Sequence, residues 1–150
     1  MFDLPRAAVP TVVLDTNTVL DWLVFRDAGM APVVAALENR ILQWVACTAM
    51  RDELARTLTY RSLAKWLPDS EHALSVFDRH ACLLPAPAPS PPHLRCSDPD
   101  DQVFLDLALA YRSHWLLTHD RALLRLARRV RPLGLLIPAP KNWPGIDSAC

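Results

Sequence analysis

The sequence predicts an α/β protein with three layers (α/β/α), in which helices cover both faces of a central, mainly parallel sheet. Short apolar runs alternate along the chain with amphipathic stretches long enough for helices, which is the order that strand–helix–strand units produce. The runs are apolar throughout instead of alternating with polar residues, as expected of strands buried on both faces. With 150 residues, of which 51% are hydrophobic, the chain is long enough to form a substantial core.

The first predicted strand is the apolar run at residues 12–14, which ends abruptly at Asp15. Small polar residues follow it, and residues 19–24 are predicted to form the first turns of a helix. Asp15 is thereby placed at the carboxyl end of a buried strand, where open α/β sheets bind their ligands. A helix cap is the alternative role for this carboxylate, and the residues alone do not separate the two.

The middle of the chain continues the same alternation. Pro32 suits the first position of a second helix, and Thr48 can cap a third one. The elements of this part are predicted at residues 33–40 (helix), 41–47 (strand), 50–58 (helix), 61–80 (one or two helices, interrupted at 68–70) and 81–84 (strand).

Residues 85–92 include five prolines, which no helix or central strand tolerates, so residues 85–95 are predicted to be an extended connection. Because the same strand–helix order lies on both sides of it, we expect a single domain over residues 1–150 with a core at about 11–140. Beyond the connection, Asp98 can cap a long helix that Pro99 opens. The remaining elements are predicted at residues 115–118 (strand), 121–128 (helix) and 135–137 (a strand that closes the sheet).

Four carboxylates occupy comparable places in this order. Asp15 and Asp120 follow buried strands, and Glu53 and Asp101 lie in the first turns of helices that begin after a strand or loop. Because a parallel sheet gathers all such positions at its carboxyl edge, we expect the four to lie close together. Clustered carboxylates without a paired lysine repel one another unless a divalent cation lies between them, and oxygen ligands favour Mg²⁺ or Mn²⁺. Such ions suit the hydrolysis of phosphodiesters.

In these places the sequence resembles the PIN-domain ribonucleases, in particular bacterial members regarded as toxins of toxin–antitoxin pairs. The matching blocks are residues 12–17, 51–54, 98–105 and 117–124, and the resemblance covers residues 12 to about 138. It implies a PIN-like, Rossmannoid fold and an endoribonuclease that depends on one or two Mg²⁺ or Mn²⁺ ions. It also implies an RNA substrate and a cognate antitoxin as partner, and it allows a homodimer.

The resemblance assigns roles residue by residue. The catalytic, metal-binding set is Asp15, Glu53, Asp101 and Asp120, with Asn17 and Thr118 as supporting polar residues. Within the third block we select Asp101 because it stands seven residues before Ala108 in the helical apolar pattern. Asp98 is then expected to be the cap, Asp100 an additional candidate ligand, and Asp106 an outward-facing residue. The fourth block departs from the family at Ala122, where a second acidic residue is common, which weakens the case for a second ion.

The charge balance and the cysteine pattern limit which partners and which cellular compartment fit the sequence. Lysine plus arginine (16) balances aspartate plus glutamate (16), so affinity for nucleic acid must come from local patches. Arg121 and Arg125 begin the densest basic cluster, and with His119 they are candidate RNA contacts, although a solvated helix face explains them equally simply. The four cysteines show no CxxC spacing, and no apolar stretch reaches the roughly 18 residues of a membrane span. These features predict a cytoplasmic protein that does not cross a membrane.

Two other functions compete with the nuclease. A phosphatase of the haloacid-dehalogenase type would use Asp15 as nucleophile, but it needs an acid/base aspartate two residues later, where Asn17 stands. A catalytically inactive PIN-like module that binds RNA or protein has the same fold, but it has no need for four carboxylates at one edge. Manganese-dependent cleavage of single-stranded RNA, abolished by a chelator, separates the nuclease from this module.

Overall fold

The computed structural model describes residues 9–149, and it confirms the predicted three-layer fold around a parallel sheet. Four strands, all parallel, lie in the order β3-β2-β1-β4. In register, Val12 of the central strand lies opposite Trp44 on one side and Trp115 on the other. The strands are β1 (Thr11–Leu14), β2 (Gln43–Ala46), β3 (Ala81–Leu83) and β4 (Trp115–Leu117).

Helices connect the strands and cover the sheet, as right-handed crossovers between parallel strands require. The α-helices are α1 (Thr16–Leu23), α2 (Ala31–Glu38), α3 (Thr48–Thr57), α4 (Ser70–His80), α5 (Gln102–Ala110), α6 (Arg121–Leu124) and α7 (Ala127–Val130). Short 3₁₀ helices lie between and after them at Ala28–Met30, Arg61–Trp66, Pro92–Leu94, Pro99–Asp101, Arg131–Leu133, Pro140–Asn142 and Ile146–Ala149.

The core lies on both faces of the sheet. Val12 and Val13 point to opposite faces of β1, and both are completely buried. Trp44 of β2 packs against Phe77 of α4 in an edge-to-face contact, with ring centroids 4.8 Å apart. This two-sided burial explains why the strand sequences are continuous apolar runs, and it confirms the parallel sheet that those runs predict.

Some predicted elements differ from the structure. The single helix predicted at residues 121–128 is two short helices, α6 and α7. Residues 135–137 do not form a fifth strand: Leu136 makes one parallel bridge to Trp115, and its N–H donates to the carbonyl of His114 (3.1 Å). Pro138 has no N–H to donate, so it limits how far the ladder can continue. Thr48 is not a cap but the first residue of α3, whose N-cap is Cys47 without a side-chain hydrogen bond.

The proline-rich connection is held against α5 by polar side chains. Gln102 Nε2 donates to Asp106 Oδ1 (2.8 Å) and to the carbonyl of Leu94 (3.3 Å). The backbone N–H of Ser90 donates to the same Asp106 oxygen (3.0 Å). The expectation that Asp106 faces outward is therefore wrong, because its carboxylate anchors the connection to the helix.

The cysteines and the helix lengths agree with what the sequence predicts for this part of the chain. Cys47, Cys82 and Cys96 are buried free thiols, whereas Cys150 lies outside the described residues. Between residues 9 and 149 no helix combines the length and the apolar character needed to cross a bilayer.

Candidate metal centre

The carboxyl ends of β1 and β4 lie side by side, and each leads into an acidic residue. Asp15 follows β1 directly, and Asp120 lies three residues beyond the end of β4. Glu53 is in the second turn of α3, which begins just after β2, and Asp101 ends the 3₁₀ helix that leads into α5. The order of the elements therefore brings the four predicted carboxylates to the same edge of the sheet.

Asp15 is both a helix cap and a buried carboxylate, with only 2% of its surface exposed. Its Oδ1 accepts a hydrogen bond from the N–H of Thr18 (2.8 Å), and its Oδ2 accepts one from the Thr118 hydroxyl. Burial raises the pKa of Asp15, and the two threonines partly offset this effect. The capping role proposed as an alternative is real, but a cap does not need to be buried this deeply.

Thr118 links two of the predicted site residues. Its hydroxyl donates to Asp15 Oδ2 and accepts from the backbone N–H of Asp120 (2.9 Å). Asp120 in turn caps α6, with its Oδ1 accepting from the N–H of Ala122 (2.7 Å). Since Thr118 is fully buried, this chain of hydrogen bonds fixes Asp15 and Asp120 relative to each other.

Three carboxylates converge closely at the edge. Oxygens of Asp98, Asp101 and Asp120 all lie within 4.8 Å of one another, an arrangement that could hold a metal ion. Oδ2 of Asp101 is buried and has no hydrogen-bond partner among the described residues. Burial raises the pKa of Asp101 to about 8, and a side-chain hydrogen bond with Asp120 and the charges of Asp120 and Asp98 add to this effect. A buried acceptor without a donor, surrounded by like charge, fits a divalent cation with oxygen ligands.

Asp98 keeps the capping role predicted for it, and it also takes the place among the converging carboxylates that the sequence suggested for Asp100. Asp98 does cap the 3₁₀ helix, accepting from the N–H of Asp100 (3.0 Å), yet its carboxylate also belongs to the convergent group. Asp100 lies outside that group and instead raises the pKa of Glu53. The helical apolar pattern selected Asp101 as the principal candidate in this block, but it could not show which neighbouring carboxylate accompanies it.

Glu53 is influenced electrostatically by Asp15 and Asp100, but it is not one of the three convergent carboxylates. Burial raises its pKa, Thr16 and Arg56 lower it, and the carboxylates of Asp100 and Asp15 raise it again. Asp15 also contributes to the raised pKa of Asp101. Asp15 therefore acts electrostatically on both Glu53 and Asp101. Neither Asp15 nor Glu53 is among the three convergent carboxylates.

Comparison with known proteins identifies the family of this sequence. The sequence model of a family described as PIN domain matches residues 11–122. The chain belongs to the PIN-domain family. PIN domains are generally nucleases, and they usually use divalent metal ions. The family assignment favours the nuclease and the inactive PIN-like module over the phosphatase.

A solved structure with this fold is the crystal structure of VapBC2 from Rickettsia felis bound to a DNA fragment from their promoter. The likeness has a TM-score of 0.55 at 11% sequence identity, and it covers 85% of this chain and 96% of that chain. At this identity the comparison supports the PIN fold. No curated protein matches the chain.

The structure brings His119 into contact with Asp21, a pairing that the sequence did not predict. His119 Nε2 lies 3.0 Å from Asp21 Oδ2, and burial raises the pKa of Asp21 while His119 lowers it. His119 remains 46% exposed at its side chain, next to Asp120. Sequence periodicity gives no signal for this pair, because the two residues lie about a hundred positions apart. Asn17, Arg121 and Arg125 are all exposed, and no described residue bonds the Asn17 side chain.

Replacing Thr118 with valine should remove the hydrogen bonds that hold Asp15 and Asp120 in place, while it keeps the shape of the side chain. Thr118→Val removes the hydroxyl that serves both Asp15 and Asp120, so the free energy of unfolding should fall by about 1–3 kcal/mol. Affinity for Mn²⁺ should fall by about 10- to 100-fold, as for other residues that orient metal ligands. Urea unfolding and calorimetric Mn²⁺ titration measure the two effects. Thr118→Ser keeps the hydroxyl and should behave like the parent; a valine variant with parental Mn²⁺ affinity would contradict this role.

The raised pKa values predict how metal-free stability depends on pH. Asp101 holds its proton in the folded state up to about pH 8, but an unfolded aspartate loses it near 3.8. The folded state therefore binds more protons across this range, so stability must fall as pH rises from 5 to 8. Burial raises the pKa of Asp15 and Glu53 in the same direction. In EDTA, thermal unfolding should occur at lower temperature at pH 8 than at pH 5.5, and Asp101→Asn should reduce the difference. If the unfolding temperatures of the parent and of Asp101→Asn fell equally between pH 5.5 and pH 8, the raised pKa of Asp101 would be contradicted.

Proposed function

We propose that this PIN domain is a metal-dependent endoribonuclease that hydrolyses RNA phosphodiester bonds. The observation that supports this most strongly is the buried, unpartnered oxygen of Asp101 within a group of three convergent carboxylates. Ionising Asp101 where it is buried beside Asp120 and Asp98 costs stability in the metal-free protein, which the raised pKa of Asp101 reflects. Such a cost is expected of a site that is built for a cation.

The proposed ligands are Asp101 and Asp120, with Asp98 completing the group and Asp15 and Glu53 adjoining it. When bound, Mg²⁺ or Mn²⁺ would lower the pKa of water and stabilise negative charge on phosphate oxygens. The protein contributes the positions of the carboxylates: Thr118 holds Asp15 and Asp120, and the caps of α1 and α6 fix their side-chain directions. The exposed residues Arg121, Arg125 and His119 follow β4 and can contact the RNA backbone next to the site.

We further propose that the protein is the toxin of a toxin–antitoxin pair that acts in the cytoplasm. The similar fold in the VapBC2 structure supports this assignment, and an antitoxin would then be its protein partner. Coexpression tests it: growth should stop when this chain is induced alone and resume when the product of a neighbouring small reading frame is made with it. Growth unaffected by the parent, at a level where the protein is detectable, would count against a toxin.

Cleavage of RNA by purified protein tests the nuclease itself. A 5′-labelled single-stranded RNA incubated with the protein and Mn²⁺ should be cut internally, and EDTA should stop the reaction. The Asp101→Asn variant, purified in parallel, controls for contaminating ribonucleases because it should be inactive. An intact RNA, together with Mn²⁺ binding that is absent by calorimetry, would instead favour the inactive PIN-like module.

A further inference from the structure

A second surface of the chain is rich in cations and exposed aromatic rings. From residue 54 to residue 68, between Glu53 and Asp69, the sequence has three cations and no carboxylate. Tyr60 and Trp66 are 52% and 47% exposed, which is unusual for large aromatic side chains in a chain that has a core to bury them. We call this region the tip surface and define it by Tyr60, Arg61, Lys65, Trp66, and Phe25 and Arg26 at the end of α1.

The two segments of the tip surface are packed together. Phe25 meets Trp66 edge to face, with ring centroids 4.9 Å apart. Lys65 Nζ lies 5.7 Å from the centroid of the Trp66 ring, within the range of a cation–π interaction. Phe25, Trp66 and Lys65 therefore form one group of contacts, and Tyr60 and Arg61 lie in the same short segment as Lys65 and Trp66.

The cations of the tip surface have no carboxylate partners in the part of the chain that the structure describes. Between residues 9 and 149, the close contacts of a basic side chain with a carboxylate are Arg51 with Asp78 and His119 with Asp21, and neither includes a tip residue. Asp27, the nearest acidic residue to Arg26 in sequence, accepts from the N–H of Gly29 (2.8 Å). The positive charge of the surface is thus available to an anionic partner.

The tip surface is connected to the acidic edge by two helices. Both α1 and α3 begin at that edge, and they extend about 12 Å and about 15 Å towards the tip. Arg56 lies between the two regions on α3, since it lowers the pKa of Glu53 and is one turn before Tyr60. One exposed cation, Arg56, therefore lies on α3 between Glu53 and the tip surface.

We propose that the tip surface binds single-stranded RNA that extends from the cleavage site. Bases stack on Tyr60 and Trp66, and Arg56, Arg61 and Lys65 contact phosphates, the combination by which proteins hold single strands without reading their sequence. The inference rests on the proposed nuclease for its substrate, and it adds that the protein favours long, unpaired RNA over short fragments. A folded partner protein would also meet aromatic rings here, but the excess of cations favours a polyanion.

Binding of oligouridylate by metal-free protein tests the tip surface without requiring catalysis. A fluorescein-labelled 20-nucleotide oligouridylate should bind the parent in EDTA, as followed by fluorescence anisotropy between 50 and 200 mM salt. Arg61→Gln combined with Lys65→Gln should weaken binding about tenfold and reduce the salt slope by about 1.4, or 0.7 for each lost contact. Tyr60→Ala should weaken it by about fivefold, whereas Tyr60→Phe keeps the ring and should bind like the parent. Arg79→Gln, on the exposed last turn of α4, is the matched control and should change nothing.

Kinetics and oligomeric state complete the test. With Mn²⁺, the Arg61→Gln/Lys65→Gln variant should show a raised KM and an unchanged kcat on the 20-nucleotide RNA, and parental kcat/KM on a 4-nucleotide RNA. If the parent cleaves no RNA, the proposed nuclease fails, but anisotropy in EDTA still decides the role of the tip surface. Equal anisotropy for parent and tip variants would overturn the inference. So would variants that change only the sedimentation coefficient of the protein, because the surface would then join two copies of the chain.

Discussion

Asp101→Asn should remove Mn²⁺-dependent RNA cleavage, with a loss of more than about a hundredfold in kcat/KM, while the protein still folds. Even residues that only orient metal ligands cost about 10- to 100-fold when they are replaced, and Asp101 is proposed as a ligand itself. The substitution retains the volume of the side chain but removes the negative charge next to Asp98 and Asp120. Initial rates on a labelled RNA, measured at saturating Mn²⁺, provide the comparison.

A surface carboxylate serves as the control for this loss. Asp52 precedes Glu53 on α3 but is exposed, so Asp52→Asn changes the net charge equally without touching the site. It should cleave RNA at the parental rate. If Asp101→Asn and Asp52→Asn were equally active, the convergent carboxylates would have no part in cleavage.

The same Asp101→Asn substitution should raise the stability of the metal-free protein at pH 8. Burial and the neighbouring carboxyls raise the pKa of Asp101 to about 8, so ionising this group in the folded state costs free energy that a neutral amide does not incur. Adding Mn²⁺ should reverse the order, because the parent gains about 2.7 kcal/mol at a hundredfold excess over its dissociation constant. For a chain of this size that gain corresponds to about 5–10 °C in Tm.

Thermal unfolding of parent and Asp101→Asn, in EDTA and in Mn²⁺, measures both effects in one experiment. The parent should unfold first in EDTA and last in Mn²⁺. Asp52→Asn should follow the parent in both conditions. A parent that gains no more than Asp101→Asn on adding Mn²⁺ would mean that the metal binds elsewhere or not at all.

The strand–helix order and Asp15 were predictable because they depend on local sequence. Strands buried on both faces must be apolar throughout, and the run before Asp15 satisfies this condition over its whole length. The N–H groups at the start of α1 need an acceptor, so a carboxylate at that position was recognisable as a cap. The resemblance of the flanking block to PIN domains then added Thr118, which the structure shows between Asp15 and Asp120.

The remaining features depend on contacts between distant parts of the chain. Three aspartates within four positions cannot be assigned by a helical pattern alone, because the 3₁₀ turn at Pro99–Asp101 decides where each carboxylate points. Asp106 looked like a solvated helix residue because one of its partners, Ser90, lies 16 positions away in an irregular part of the connection. The bridge at Leu136 involves one residue pair, which is too short a strand for periodicity to measure.

Anomalous diffraction from crystals grown with Mn²⁺ tests the central claim most directly, since the claim is that converging carboxylates form a divalent-cation site. The account predicts an anomalous peak bound by Asp101 and Asp120, with Asp98 or Asp15 next to it, and the loss of this peak in Asp101→Asn crystals. Mn²⁺-dependent cleavage of RNA by a protein whose crystals show no peak at these carboxylates would contradict it.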